Sequence, residues 1–224
     1  AAASELAVRL EEVLEERDDI AIGALTRHTQ LEHSDLLAAH APLLRAAAKE
    51  VGDPQVRHRG TIGGSIAHCD PASDLPATTL ALGATYVAQG PGGRRSIAAA
   101  DFFRGFLESA LAPDEMLVEI RVPKISGGGF SFQKFNRRAQ DWAIVGVAAW
   151  RNDGGSGIGL VNMGATPVLA TSAMQALASG ASVADAAELA AAEADPQSDL
   201  NASPDFRRHL AKVLVRRALE ACAR

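Results

Sequence analysis

The most restrictive part of this sequence is the stretch Val51–Leu75, VGDPQVRHRGTIGGSIAHCDPASDL. It contains four glycines, two arginines, two histidines, three aspartates and two prolines. This mixture packs poorly into a hydrophobic core, because most of these side chains are polar, and it suits a shaped loop. We therefore expect the rest of the chain to be organised around a ligand-binding loop.

The centre of this loop consists of six residues: Gly60, Thr61, Ile62, Gly63, Gly64 and Ser65. Glycine allows positive φ and close approach of a ligand, so consecutive amide groups can turn inward and form a concave site for a pyrophosphate. Asp74 could accept hydrogen bonds from a ribose or ribityl chain. An isolated T-x-G-G is more often a β-turn between surface elements, and the spacing excludes both a Rossmann fingerprint and a P-loop.

A longer run around the loop, QVRHRGTIGGSIAHCDPASDLP, resembles the second FAD-binding loop of the flavin subunits of molybdenum hydroxylases. This family includes carbon monoxide dehydrogenase medium chains and xanthine dehydrogenase flavin domains. The resemblance extends from about Ile20 almost to the C-terminus, through IGALTRH, DEMLVEIRVP, FQKFNRRAQDWAIVGVAAW and DPQSDLNASPDFRRHLAKVLVRRALEA. Ordered similarity over several segments is far more specific than one short motif.

The resemblance implies which residues bind FAD. In the family the TIGG turn contacts the FAD pyrophosphate, and the polar residue after it and the aspartate of D-P-x-S-D bind the dinucleotide. By position these residues are Gly60 to Ser65 and Asp74. A family lysine near the flavin corresponds to Lys134, and Leu117 corresponds to an apolar contact with the isoalloxazine. We assign no catalytic acid, base or nucleophile.

One segment departs from the family pattern. Family members begin with an α/β segment that carries a first glycine loop, A-G-G-x-S, on the other side of the diphosphate. Nothing in Ala1–Asp18 resembles it, and this region could form a helix or, as in the family, strands. We therefore expect an N-terminally incomplete FAD site, and three outcomes stay open: FAD is retained, bound weakly or absent.

The residue pattern and the resemblance together predict an α+β fold with two domains. Residues 1–125 would form a partial FAD-binding domain of the PCMH type, in which helices pack on a mixed or antiparallel sheet. Residues 126–224 would form a smaller domain, in which helices pack on a three-stranded antiparallel sheet. The boundary is placed at Ile125–Gly129, where three glycines follow a serine. Ser34–Val51 is predicted to be helical and broken at Pro42.

Composition limits the remaining classes of function. A net charge of −5 over 224 residues argues against a nucleic-acid-binding protein. No run approaches the ~18 apolar residues of a membrane-spanning helix and no leader peptide is evident, so we expect a cytoplasmic protein. Cys69 and Cys222 are too few for a disulfide framework or an iron–sulfur cluster. His28 and His33 lack further metal ligands at suitable spacing, so we expect solvated loop histidines and no metal site.

The function that the resemblance implies is electron transfer. The chain would hold FAD and pass electrons from iron–sulfur clusters to a terminal acceptor, in a hetero-oligomer with a molybdopterin-binding large subunit and an iron–sulfur small subunit. Molybdopterin and the clusters would belong to those partners only. Two alternatives remain: a cofactor-free assembly or interaction module derived from that subunit, and an unrelated flavin-dependent oxidoreductase on the same fold.

Overall fold

Antiparallel sheets form the frame of the protein in the computed structural model, which describes residues 10–223. The strands are β1 (Val13–Glu15), β2 (Asp19–Gly23), β3 (Thr85–Gly90), β4 (Gly93–Ala98), β5 (Phe103–Gly105), β6 (Glu108–Ser109), β7 (Met116–Pro123), β8 (Gly129–Phe135), β9 (Val145–Asn152), β10 (Gly155–Val161) and β11 (Val168–Leu169). The first sheet has the order β1-β2-β7-β3-β4, the second β11-β10-β9-β8, and β5 pairs with β6. The predicted α+β fold with antiparallel sheets is confirmed. Ala1–Arg9, half of the segment whose structure the sequence left open, lies outside the described residues.

Helices fill the connections between the strands. They are α1 (His28–His33), α2 (Asp35–His40), α3 (Pro42–Lys49), α4 (Pro54–Arg59), α5 (Ile62–His68), α6 (Asp74–Ala81), α7 (Ala99–Phe102), α8 (Thr171–Ala178), α9 (Val183–Ala192) and α10 (Pro204–Cys222). The predicted break at Pro42 is confirmed, because Pro42 occupies the first turn of α3. Proline is tolerated there because an amide of the first turn has no partner within the helix.

Branched apolar residues fix the register of the first sheet. On β2, Ile20 pairs with Val122 and Ile22 pairs with Ile120, and all four side chains are 0% exposed. Because side chains alternate between the two faces of a strand, a shift by one residue would expose this set. Burial of each such side chain contributes about 1.5–3 kcal/mol to folding.

The second sheet packs against α6. A β-carbon on Gly159 or Gly157 would overlap the carbonyl oxygen of Ala77 or Ala81, so β10 can approach this helix only where it carries glycine. The indole nitrogen of Trp150 donates a hydrogen bond to the Ala81 oxygen at 2.7 Å. On its other side, the hydroxyl of Thr79 lies 2.7 Å from that of Tyr86 on β3, so helix α6 lies between the two sheets. Asp74, in its first turn, lies close to Lys134 of β8.

The second sheet has one strand more than the sequence predicted. A two-residue strand, β11, adds a fourth member to the predicted three, through pairs such as Leu160 with Val168. In α10, which packs on this sheet, the side chain of Arg207 is buried, at 2% exposed. Its guanidinium lies 2.6 Å from the carboxylate of Asp199 and also donates to the carbonyl oxygen of Ile144, so it stabilises the loop before the helix.

Candidate functional site

A cavity of about 590 Å³ lies where helices of the N-terminal half meet β8 and the loop after it. It is lined by both charged and polar side chains and a few apolar ones: Arg27, His28, Val51, Gly52, Val56, Arg59, Gly60, Thr61, Gly64, Ser65, His68, Ser73, Asp74, Lys134, Gln140, Asp141 and Trp142. A cavity of this size with several converging polar groups is typical of a small-molecule or cofactor site.

The glycine-rich segment forms the start of a helix rather than a turn. Thr61 is the N-cap of α5, and its hydroxyl oxygen accepts a hydrogen bond from the amide of Gly64 at 3.1 Å. The amides of Ile62 and Gly63 donate to the carbonyl oxygens of Thr26 and Ala24. A threonine at this position stabilises a helix by satisfying one of its free amides.

The predicted row of inward-facing amides is therefore not formed. The amides of residues 60 and 62–65 all have acceptors within the chain. Among the described residues, none accepts a hydrogen bond from the Thr61 amide. The physical reason is that α5 begins directly against the segment that follows β2, and this contact uses the amides. Side chains, rather than a run of main-chain amides, remain to meet a ligand.

Two glycines of this segment are required by close packing. A β-carbon on Gly63 would lie 2.5 Å from both the β-carbon and the carbonyl oxygen of Ala24. A β-carbon on Gly60 would lie 2.6 Å from Cδ2 of His28. Neither glycine has positive φ. The glycine pattern therefore marks the contact between α5 and its neighbours, and not the special backbone conformation that the sequence suggested.

Asp74 and Lys134 form a buried ion pair beside the cavity. Lys134 Nζ lies 2.7 Å from Asp74 Oδ2, and both side chains are 6% exposed. Asp74 is the first residue of α6, one position after the N-cap Ser73. Burial raises the pKa of Asp74 to about 6, although Lys134 acts in the opposite direction. The second carboxylate oxygen, Oδ1, is buried and has no partner among the described residues.

His28 is buried, and the prediction of a solvated loop histidine is wrong for it. It begins α1, is 2% exposed, and its Nε2 lies 3.2 Å from Ser65 Oγ. Burial and the nearby Arg57 lower the pKa of His28 to about 4. The ring is therefore neutral at pH 7. His33, at the other end of α1, is exposed as expected.

The two arginines of the loop have different environments. Arg57 Nε lies 2.8 Å from Glu32 Oε2, and its guanidinium also donates to the Val51 oxygen at 3.1 Å. The guanidinium of Arg57 is therefore already paired within the chain. Arg59 is exposed, lines the cavity and has no ion-pair partner within residues 10–223. Its guanidinium remains available to an anion.

Comparisons with known proteins identify the family of this chain. Residues 7–125 match the family model described as FAD binding domain in molybdopterin dehydrogenase, and residues 130–222 match the CO dehydrogenase flavoprotein C-terminal domain. This chain belongs to the family of FAD-binding medium subunits of molybdenum hydroxylases. The family that the sequence resemblance indicated is confirmed, and the chain is an oxidoreductase subunit.

Individual relatives of this family show how far the similarity extends. The chain is 38% identical to the carbon monoxide dehydrogenase medium chain of Hydrogenophaga pseudoflava over 93% of its own length and 76% of the relative's. It is 36% identical to the 6-hydroxypseudooxynicotine dehydrogenase complex subunit alpha of Paenarthrobacter nicotinovorans, over 89% and 71%. The carbon monoxide dehydrogenase structure from H. pseudoflava superposes with a TM-score of 0.90 at 40% identity, over 96% of this chain and 78% of that one.

The cavity brings together some of the predicted FAD contacts and leaves others apart. Its lining includes Gly60, Thr61, Gly64, Ser65, Asp74 and Lys134. Ile62 and Gly63 are buried beneath it, and Leu117 lies in the core at 6% exposure, away from the cavity. The predicted isoalloxazine contact of Leu117 stays a prediction.

Sequence reasoning missed several lining residues. Arg27 and His28 come from the segment after β2, and Gln140 and Trp142 come from the loop after β8. Trp142 is 60% exposed. No spacing pattern in the sequence links these residues, because they meet at the cavity only through the packing of distant elements. The one signal was their position inside the segments IGALTRH and FQKFNRRAQDW that resemble the family.

Proposed function

We propose that this cavity binds FAD, and that the chain transfers electrons from the iron–sulfur clusters of a partner subunit to a terminal acceptor. FAD, when bound, supplies the redox chemistry, and the residues of this chain hold and orient it. The observation that carries the proposal is the donor and acceptor set of one cavity: an exposed guanidinium, two hydroxyl groups and a carboxylate oxygen without a partner within residues 10–223.

The chemistry of the lining fits a dinucleotide. Arg59 offers a guanidinium, and Thr61 and Ser65 offer hydroxyl groups, which suit diphosphate oxygens. Asp74 Oδ1, which is buried beside the cavity and has no partner among the described residues, is a hydrogen-bond acceptor, which suits the hydroxyl groups of a ribose or ribityl chain. Lys134 pairs with the other oxygen, Oδ2, and offsets the negative charge of the carboxylate. Asp74 can therefore lie in a site that binds an anion.

We also propose the assembly in which this subunit works. The names of the relatives describe a medium chain and a subunit of a dehydrogenase complex, which supports a hetero-oligomer with a molybdopterin-binding large subunit and an iron–sulfur small subunit. The domain division at residues 125 and 126 and the location in the cytoplasm are further parts of the proposal. Within residues 10–223, no helix is long and apolar enough to cross a membrane.

A titration of the cofactor-free chain with FAD tests the proposal. We expect binding with quenching of flavin fluorescence, and we expect Arg59→Ala to weaken it about tenfold or more, the magnitude of a hydrogen bond to a charged group. Arg94→Ala is the matched control, because Arg94 lies on β4 and contacts Gln89 rather than the cavity. Absence of FAD binding, with retained association with partner subunits, would instead favour the cofactor-free assembly module.

A further inference from the structure

His28 supports Ser65 from the side of the protein interior. The ring is 2% exposed, and Nε2 lies 3.2 Å from Ser65 Oγ. Its other nitrogen, Nδ1, is buried and has no hydrogen-bond partner among residues 10–223. Cδ2 and Nε2 also lie directly beside Gly60, where any β-carbon would collide with them. The ring is therefore held in one place, and Ser65 is its one polar side-chain contact within these residues.

We propose that His28 is a positioning residue: its neutral ring carries the proton on Nε2 and donates it to Ser65 Oγ. The Ser65 hydroxyl then has its own hydrogen free to donate to an anionic oxygen in the cavity. Which anion this is rests on the proposed function, where it is the diphosphate of FAD. His28 itself does not touch the ligand in this arrangement.

The alternative tautomer of His28, with the proton on Nδ1, is less favourable for two reasons. A neutral imidazole has one N–H group, and its two nitrogens compete for that proton. With the proton on Nδ1, a buried N–H would have no acceptor, which is rare in folded proteins. Nε2 would then accept the only hydrogen of Ser65, and the serine oxygen would present lone pairs alone to the anion.

Nitrogen NMR of the labelled, cofactor-free chain tests the position of the proton directly. We expect His28 at pH 7 to show a protonated-type shift at Nε2 and an unprotonated-type shift at Nδ1, with the signals assigned by their loss in His28→Gln. A proton on Nδ1 would overturn the inference. This measurement needs no FAD, so its result is independent of the proposed function.

The affinity for FAD supplies the second test. Ser65→Ala is expected to weaken binding about tenfold, and His28→Leu to weaken it to a similar degree. His28→Gln should bind nearly as well as the wild type, since its amide N–H can replace Nε2–H. The double variant Ser65→Ala/His28→Leu should bind no more weakly than Ser65→Ala alone, because the histidine acts through the serine.

The controls separate this inference from a general loss of structure. His33→Gln changes an exposed histidine of the same helix that does not line the cavity, and it should leave affinity unchanged. Additive losses in the double variant, or equal losses in His28→Gln and His28→Leu, would refute the positioning role. If the wild-type chain itself fails to bind FAD, the proposed function is refuted, and the NMR result alone decides the inference.

Discussion

The amine of Lys134 lies 2.7 Å from the Asp74 carboxylate and 2.9 Å from the carbonyl oxygen of Glu50. Lys134 belongs to β8, whereas Asp74 begins α6 and Glu50 is the C-cap residue that follows α3. One amine therefore connects three segments from both sides of the proposed boundary at Ile125. Since both charged side chains are almost completely buried, removal of either one changes the balance of charge inside the protein.

Lys134→Met is expected to destabilise the chain at pH 8. The substitution keeps most of the side-chain volume but leaves the buried Asp74 carboxylate without its counter-charge, which costs about 3 kcal/mol. At pH 5 the loss should be much smaller, because Asp74 is then protonated in the folded state. Urea unfolding of the cofactor-free chain at the two pH values measures the difference. Arg216→Met, which breaks an exposed pair with Glu220, should show little change at either pH.

Asp74 should also give the wild type a distinctive pH dependence. Its pKa of about 6 in the folded state is higher than the ordinary value of about 3.9 expected after unfolding. Between these values the folded state binds the proton more tightly, so the contribution of Asp74 to the free energy of unfolding increases as pH falls from 6 to 4. Its full size is about 3 kcal/mol.

Comparison with Asp74→Asn isolates this effect. As pH falls from 7 to 4, the free energy of unfolding of the wild type should rise relative to that of the variant. A difference that does not change over this interval would show that the folded-state pKa of Asp74 is not raised.

His28 should produce the opposite dependence over a neighbouring interval. Its pKa is about 4 in the folded state and about 6.5 after unfolding. Below pH 6.5 the unfolded chain gains a proton that the folded chain does not, so stability falls by about 3 kcal/mol as pH decreases to 4. Arg57 is the charged neighbour that contributes to the lowered pKa of His28.

His28→Gln cannot titrate, so the loss of stability between pH 6.5 and pH 4 that is due to His28 should be absent from it. The free energy of unfolding of each protein, measured by urea denaturation across this interval, gives the comparison. A variant whose acid sensitivity equals that of the wild type would contradict the assignment. His33→Gln provides a control for loss of an exposed histidine from the same helix.

The sequence predicted the elements of the fold well because their signals are local. Pro42 marks a break in the helical stretch Ser34–Val51, and this signal is readable within a few residues. The ligand loop was harder, because the same glycines can serve a turn with inward amides or a helix packed closely on a strand. The choice depends on Ala24, which lies far from Gly63 in sequence and meets it only in the fold.

For the side chains of the site, too, some features were predicted from the sequence and others depend on long-range packing. The resemblance predicted Asp74 and Lys134 as two separate FAD contacts. It did not predict that they form a pair across 60 residues. The burial of His28 was missed because a histidine after a short strand usually faces solvent, and only the contact with Gly60 and Ser65 encloses it. Long-range packing, which no local pattern encodes, therefore decides the electrostatics of this cavity.

Gly63→Ala tests whether the glycine pattern serves packing. The new β-carbon would lie 2.5 Å from the backbone oxygen of Ala24, and backbone cannot move aside as cheaply as a flexible side chain. We expect a loss of about 1–3 kcal/mol in the free energy of unfolding, the usual cost of overpacking. Urea denaturation at pH 7 measures it without any ligand.

Gly92→Ala is the matched control for this prediction. Gly92 lies in the turn between β3 and β4, has no atom within 4 Å of an added β-carbon, and does not have positive φ. Its substitution should leave stability unchanged or raise it slightly, because alanine restricts the unfolded chain more than glycine does. Equal stability of the two variants would mean that α5 can shift away from Ala24. The amides of Ile62 and Gly63 would then be free to turn toward a ligand after all.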